Sequence, residues 1–78
     1  MSIVNAFGSF LKEMRKGKKV TQEQLALSLN VSTVYVHQLE TAKVDAPDKS
    51  KCITIAKTLK IDSDLVWNKA KEQKLLRS

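Results

Sequence analysis

The sequence predicts an all-α domain of five short helices, the second and third joined by a very tight turn. Three observations predict it. The 78 residues hold only two glycines and one proline. The apolar–polar alternation of a strand is sustained nowhere, and apolar residues recur instead at spacings of three and four. A chain of this length makes one domain, taken as residues 1–78, and buries only about 60 to 70% of its unfolded surface, so cover from a partner subunit is an expected source of stability.

The first helix is expected from about Ile3 to Lys16, because Ile3, Phe7, Phe10, Leu11 and Met14 form one apolar stripe. Gly17 follows where a left-handed residue closes a helix. Helix 2 opens at Thr21, whose hydroxyl caps a free backbone N–H while Gln24 reaches back in a capping box. Leu25, Ala26 and Leu29 form its inner face. Helix 3 opens at Ser32, another favoured N-cap residue, and reaches about Glu40. Only Leu29, Asn30 and Val31 lie between them, and asparagine tolerates the left-handed backbone such a bend requires. Pro47 and two aspartates mark 43–49 as a loop leading into helix 4, near Asp48 to Leu59, with Cys52, Ile55, Ala56 and Leu59 inward. A cap at Asp62 or Ser63 starts helix 5, which runs to about Leu76.

Fourteen Lys and Arg against eight Asp and Glu leave a formal charge of +6, which favours a polyanionic partner. Seven of the twelve lysines gather in two groups: Lys12, Lys16, Lys18 and Lys19, with Arg15, at the end of helix 1, and Lys43, Lys49 and Lys51 around the loop after helix 3. Cys52 is the only cysteine, so an intrachain disulfide is excluded, and next to Ile53 and Ile55 it reads as a small buried hydrophobe. One histidine and one cysteine supply no triad for nucleophilic catalysis and no metal-ligand spacing. We therefore expect no enzyme activity, no metal and no cofactor. No apolar run approaches the roughly 18 residues of a membrane span, and the start of the chain lacks the basic-then-apolar layout of a secretory signal. The expected location is the cytoplasm.

Helix 3 carries the chemistry. At 100° per residue, Thr33, Val34, His37, Gln38 and Thr41 fall within an arc of roughly 140°, while Val36 and Leu39 lie opposite, where they close a core with Leu25, Ala26 and Val31. The outward set is short, mixed and nearly uncharged. Gln38 matches the N6 and N7 pattern of adenine, Thr33 bonds several bases, and the methyls of Val34 and Thr33 fit the thymine methyl; His37 is suited to guanine or phosphate.

At these residues the chain resembles the lambda-repressor-like, Cro-type (XRE) helix-turn-helix family of bacterial and phage regulators. The resemblance rests on Arg15, TQEQLA at 21–26, NVS at 30–32, Val36, Leu39, Glu40, Pro47, IAKTL at 55–59 and Ile61, and spans about residues 7–67. It implies a DNA-binding regulator, expected to be a repressor, with Thr33, Val34, His37 and Gln38 at the base-reading positions. Gln22 matches a glutamine that contacts phosphate and braces the recognition helix. The full set expected on phosphates is Gln22, Ser32, Lys18, Lys19, Thr41 and Lys43. Arg15 and Glu40 match a structural salt bridge. Where the family commonly has glycine, this chain has Asn30, Ala42 and Lys60. A left-handed Ala or Lys costs roughly 1 kcal/mol or more, so the loop after helix 3 is expected to take another conformation.

Helix 5 shows two apolar faces, Val66, Trp67 and Ala70 on one and Leu65 and Leu76 on another. Leu65, Val66, Trp67, Leu75 and Leu76 are the expected dimerisation residues. A homodimer would set two recognition helices about one DNA turn apart, roughly 34 Å, on a pseudo-palindromic operator. The competing reading is an antitoxin-like or regulatory module whose helix 5 surface binds another protein. A third is sequence-indifferent coating of nucleic acid through charge.

Overall fold

The computed structural model describes residues 6–77, with side chains for 7–75. It contains α1 (Ala6–Gly17), α2 (Gln22–Leu29), α3 (Thr33–Glu40), α4 (Lys49–Leu59) and α5 (Ser63–Arg77), and no strand among the described residues. The fold is the all-α, five-helix, lambda-repressor-like one. Ile3, expected at the start of the first helix, lies outside the described residues.

The starts of α2, α3, α4 and α5 are each made by the residue type that a cap requires. Thr21 Oγ1 accepts from Gln24 N at 3.0 Å and Gln24 Oε1 accepts from Thr21 N at 2.8 Å, which completes the capping box of α2. Ser32 Oγ accepts from Tyr35 N at 3.1 Å, and Asp48 Oδ1 accepts from Lys51 N at 3.0 Å. Asp62 Oδ1 accepts from Asp64 N at 2.9 Å at the head of α5.

The helix ends correct two expectations. Gly17 is helical, and the left-handed residue after α1 is Lys19 at φ 58°. Asn30, Ala42 and Lys60 are left-handed too, at 58°, 60° and 58°, so the loop after α3 adopts the very conformation that its alanine disfavours. The physical reason is a closure repeated after each of the first four helices, in which the N–H beyond the left-handed residue donates back to a carbonyl in the last turn. Val20 N donates to Arg15 O at 3.0 Å, Val31 N to Ala26 O at 3.0 Å, Lys43 N to Gln38 O at 2.9 Å and Ile61 N to Ala56 O at 3.0 Å. Val20, Val31 and Ile61 also pack against the core, and Val44 does so after α3. These bonds and contacts outweigh a backbone penalty of about 1 to 2 kcal/mol at each site. Lys60 is exposed and distant in sequence from α3. Lys60→Gly is therefore expected to raise stability by up to about 1 kcal/mol, read as a higher urea midpoint, without changing the fold.

The core draws on every helix: Phe7 and Leu11, Leu25 and Leu29, Val36 and Leu39, Ile55 and Leu59, Val66 and Ala70. The α2–α3 pair leans on α4 and α1, and α5 packs along α4 and α1. Cys52 is buried in this core; desolvation and then the Asp48 carboxylate push its thiol up to about 11, with Lys74 pulling the other way. The thiol therefore stays protonated and unreactive near neutral pH.

Helix 5 departs from its expected role in part. Val66 is fully buried in the chain's own core, so it offers no surface to a partner. Trp67 is half-buried and packed on the same core, with Lys71 Nζ 5.8 Å from its ring centroid. Leu65 and Leu75 are the exposed pair, 43% and 76% accessible, while the side chain of Leu76 lies outside those described. Gln73 is fully buried and its Oε1 accepts from Phe7 N at 3.0 Å, tying the far half of α5 to the first turn of α1.

Candidate nucleic-acid interface

The orientation of α3 follows from what its other face buries. Val36 and Leu39 are in the core, and Glu40 is only 4% accessible. Rotation about the helix axis is thereby fixed, and Thr33, Val34 and His37 emerge exposed with Gln38 half-buried beside them. Tyr35 sits half-buried at the edge of the core, and its phenol is shifted upward by desolvation and then by the charge of Asp48.

A charged knot sets the height of α3 against α1 and α2. Arg15 Nε donates to Glu40 Oε2 at 2.6 Å, Arg15 Nη2 donates to Glu40 Oε1 at 3.1 Å, and Arg15 Nη1 donates to Val20 O at 2.9 Å. Gln22 Nε2 adds a bond to Glu40 Oε1 at 3.0 Å. One carboxylate thus accepts from the end of α1 and the start of α2 together. The bidentate geometry is the strong form of such a pair, and the burial of both partners keeps water from competing. Gln22 keeps a second amide hydrogen for another acceptor.

The hydrogen-bonding groups of the α3 surface divide into spent and unspent. Thr41 Oγ1 donates to His37 O at 2.9 Å, so its proton is already engaged, and Ser32 Oγ is occupied as a cap. Among the described residues, the side chains of Thr33, His37 and Gln38 take no intramolecular hydrogen bond, although each carries donors or acceptors. Lys18, Lys19 and Lys43 are exposed. An open depression of about 680 Å³ lies between the end of α1 and the start of α2, lined by Lys16, Lys19, Gln22 and Thr33 among others. It therefore joins a cationic rim to the first residue of the α3 outer face.

Of the residues expected at the site, Arg15, Glu40 and Gln22 are brought into direct contact, and the Thr33, Val34, His37 and Gln38 quartet shares one open face. Leu65 and Leu75 belong to a different helix. The carbonyl of Val20 as an anchor for Arg15, and Gln73 as a distant cap of α1, were not expected; the latter is visible only as a polar residue three and seven places after the inward Ala70 and Val66. Among the described residues no group of three His, Cys, Asp or Glu is placed to hold a metal ion, and no helix is long and apolar enough to cross a membrane.

Comparison with known proteins adds to this geometry. The model of a helix-turn-helix family matches residues 11–66. A comparison with curated proteins finds no match. Among solved structures, the clp gene regulator ClgR from C. glutamicum has the same fold, with a TM-score of 0.73 over 91% of each chain at 24% sequence identity.

Proposed function

The chain belongs to the helix-turn-helix family of DNA-binding transcriptional regulators, of the XRE type, and on that premise we propose that it binds a specific operator by inserting α3 into the major groove. Thr33, Val34, His37 and Gln38 contact base edges. Gln22, Ser32, Lys18, Lys19, Thr41 and Lys43 meet the flanking phosphates, which fixes register without reading sequence. For Thr41 this requires its hydroxyl to turn from His37 O toward the phosphate. The protein acts as one domain and as a homodimer, with α5 contributing Leu65 and Leu75 to the contact, so that two recognition helices meet successive turns of a pseudo-palindromic site. Occupying such a site represses by excluding the transcription machinery.

The observation that carries this reading is the contrast on α3: the polar groups beside the quartet are bonded internally, whereas Thr33, His37 and Gln38 take no bond among the described residues and stand on an open face. A solvated surface needs no such grouping around an exposed valine. A second reading has its own support in the exposed Leu65 and Leu75, which suit an antitoxin-like module that docks another protein on α5.

Selection of bound duplexes from random DNA at near-physiological salt tests the proposal. A pseudo-palindromic motif with half-sites about 10 to 10.5 base pairs apart is the expected result. Failure to enrich any motif, with a monomeric chain that copurifies with another polypeptide, favours the protein-binding module.

A further inference from the structure

We infer that the half-site read by α3 presents a pyrimidine 5-methyl group to Val34 beside an adenine held by Gln38. The inference rests on the DNA-binding reading above and goes past it by naming the base chemistry. Val34 is 64% accessible in the first turn of a capped helix, two residues after the Ser32 cap. A β-branched residue is a middling helix former, and one that faces solvent gains almost nothing from burial. Packing within the chain does not account for a valine there, whereas a methyl group descending into contact would.

The composition of α3 narrows the bases further. Its eight residues, TVYVHQLE, include no Lys or Arg, so the bidentate donor most often used on guanine is missing from the helix. Gln38 instead offers one donor and one acceptor at its end, the pattern that matches adenine N7 and N6. Val34 and Gln38 stand four positions apart, about 6 Å along the axis and about 40° around it, and so form one ridge. That rise covers one to two base-pair steps at about 3.4 Å each, which places the methyl and the adenine on neighbouring pairs or on pairs two steps apart. The charge required to hold the backbone comes from outside α3, from Lys16, Lys18, Lys19 and Lys43.

Thymine and 5-methylcytosine both present a C5 methyl to the major groove, so the shared chemistry is the methyl itself. The test is fluorescence anisotropy of the intact chain on its selected duplex, with dU replacing each dT in turn. One thymine per half-site should respond, with affinity falling about fourfold for the loss of one buried methyl. Val34→Ala should bind the dT and dU duplexes equally while melting at or above the temperature of the unaltered protein, since the side chain is exposed. Replacing the adjacent adenine by 7-deazaadenine should weaken the unaltered protein and leave Gln38→Ala unmoved. At the responsive position, a gain for 5-methyl-dC over dC, erased by Val34→Ala, assigns the contact to the methyl alone; the absence of such a gain assigns it to thymine. A duplex that is selected and bound tightly but has no methyl-sensitive position, or a Val34→Ala variant that still separates dT from dU, overturns the inference and leaves operator binding intact. If no duplex is selected at all, both the inference and the function beneath it fall.

Discussion

Replacing Glu40 by alanine is expected to lower folding stability by about 3 to 5 kcal/mol, because it strands a buried guanidinium. Arg15 is 8% accessible and gives two of its donors to that carboxylate, and Gln22 gives a third bond from the next helix. Against a total stability of about 5 to 15 kcal/mol for a small domain, such a loss removes at least about a fifth of the margin and at the lower end all of it. Urea denaturation followed by circular dichroism measures it directly. The double variant Arg15→Met with Glu40→Met should recover much of the loss, since an apolar pair of similar volume leaves no charge in the interior. A loss below about 1 kcal/mol for Glu40→Ala would mean that the pair behaves as an exposed one, screened by solvent. The functional consequence follows from position: Glu40 ends α3, so the same change should loosen the recognition helix against α1 and α2.

Gln38→Ala is expected to act in the opposite way, on binding and not on folding. The side chain makes no intramolecular hydrogen bond among the described residues and is only half-buried, so the melting temperature should stay near that of the unaltered protein. Its loss should cost about 1 to 3 kcal/mol on the selected duplex, with relaxed choice at one base position. Binding to a scrambled duplex, which depends on lysines at the rim, should hardly change. Equal losses on both duplexes would place Gln38 among the phosphate contacts, and no loss on either would remove it from the interface.

How far these features can be read from residue order depends on the range of the interaction. Thr21, Gln24 and Ser32 mark helix starts because a cap is a contact between residues two or three apart, and the outward quartet follows from helical periodicity once Val36 and Leu39 are placed inside. Arg15 and Glu40 lie 25 positions apart, and no local pattern pairs them; only the family resemblance named them. Gly17 misled because glycine is the residue that best tolerates a left-handed backbone, yet the helix closes two residues later on Lys19, where Val20 can both bond Arg15 and pack inward. Ala42 misled for the related reason that propensity was weighed without the bond from Lys43 to Gln38 that holds it. Val66 illustrates a third limit. A helix with two apolar faces has one against its own domain, and only the packing of α5 on α1 and α4 decides which.

The central claim is that the face of α3 bearing Thr33, Val34, His37 and Gln38 is the surface that meets DNA bases. Amide proton–nitrogen correlation spectra of the intact chain, titrated with its selected duplex, locate that surface residue by residue. The predicted result is that the largest changes fall on these four residues, with smaller ones at Gln22, Lys19 and Lys43 and little at the far end of α5. Changes concentrated around Leu65 and Leu75, with α3 silent, would contradict it.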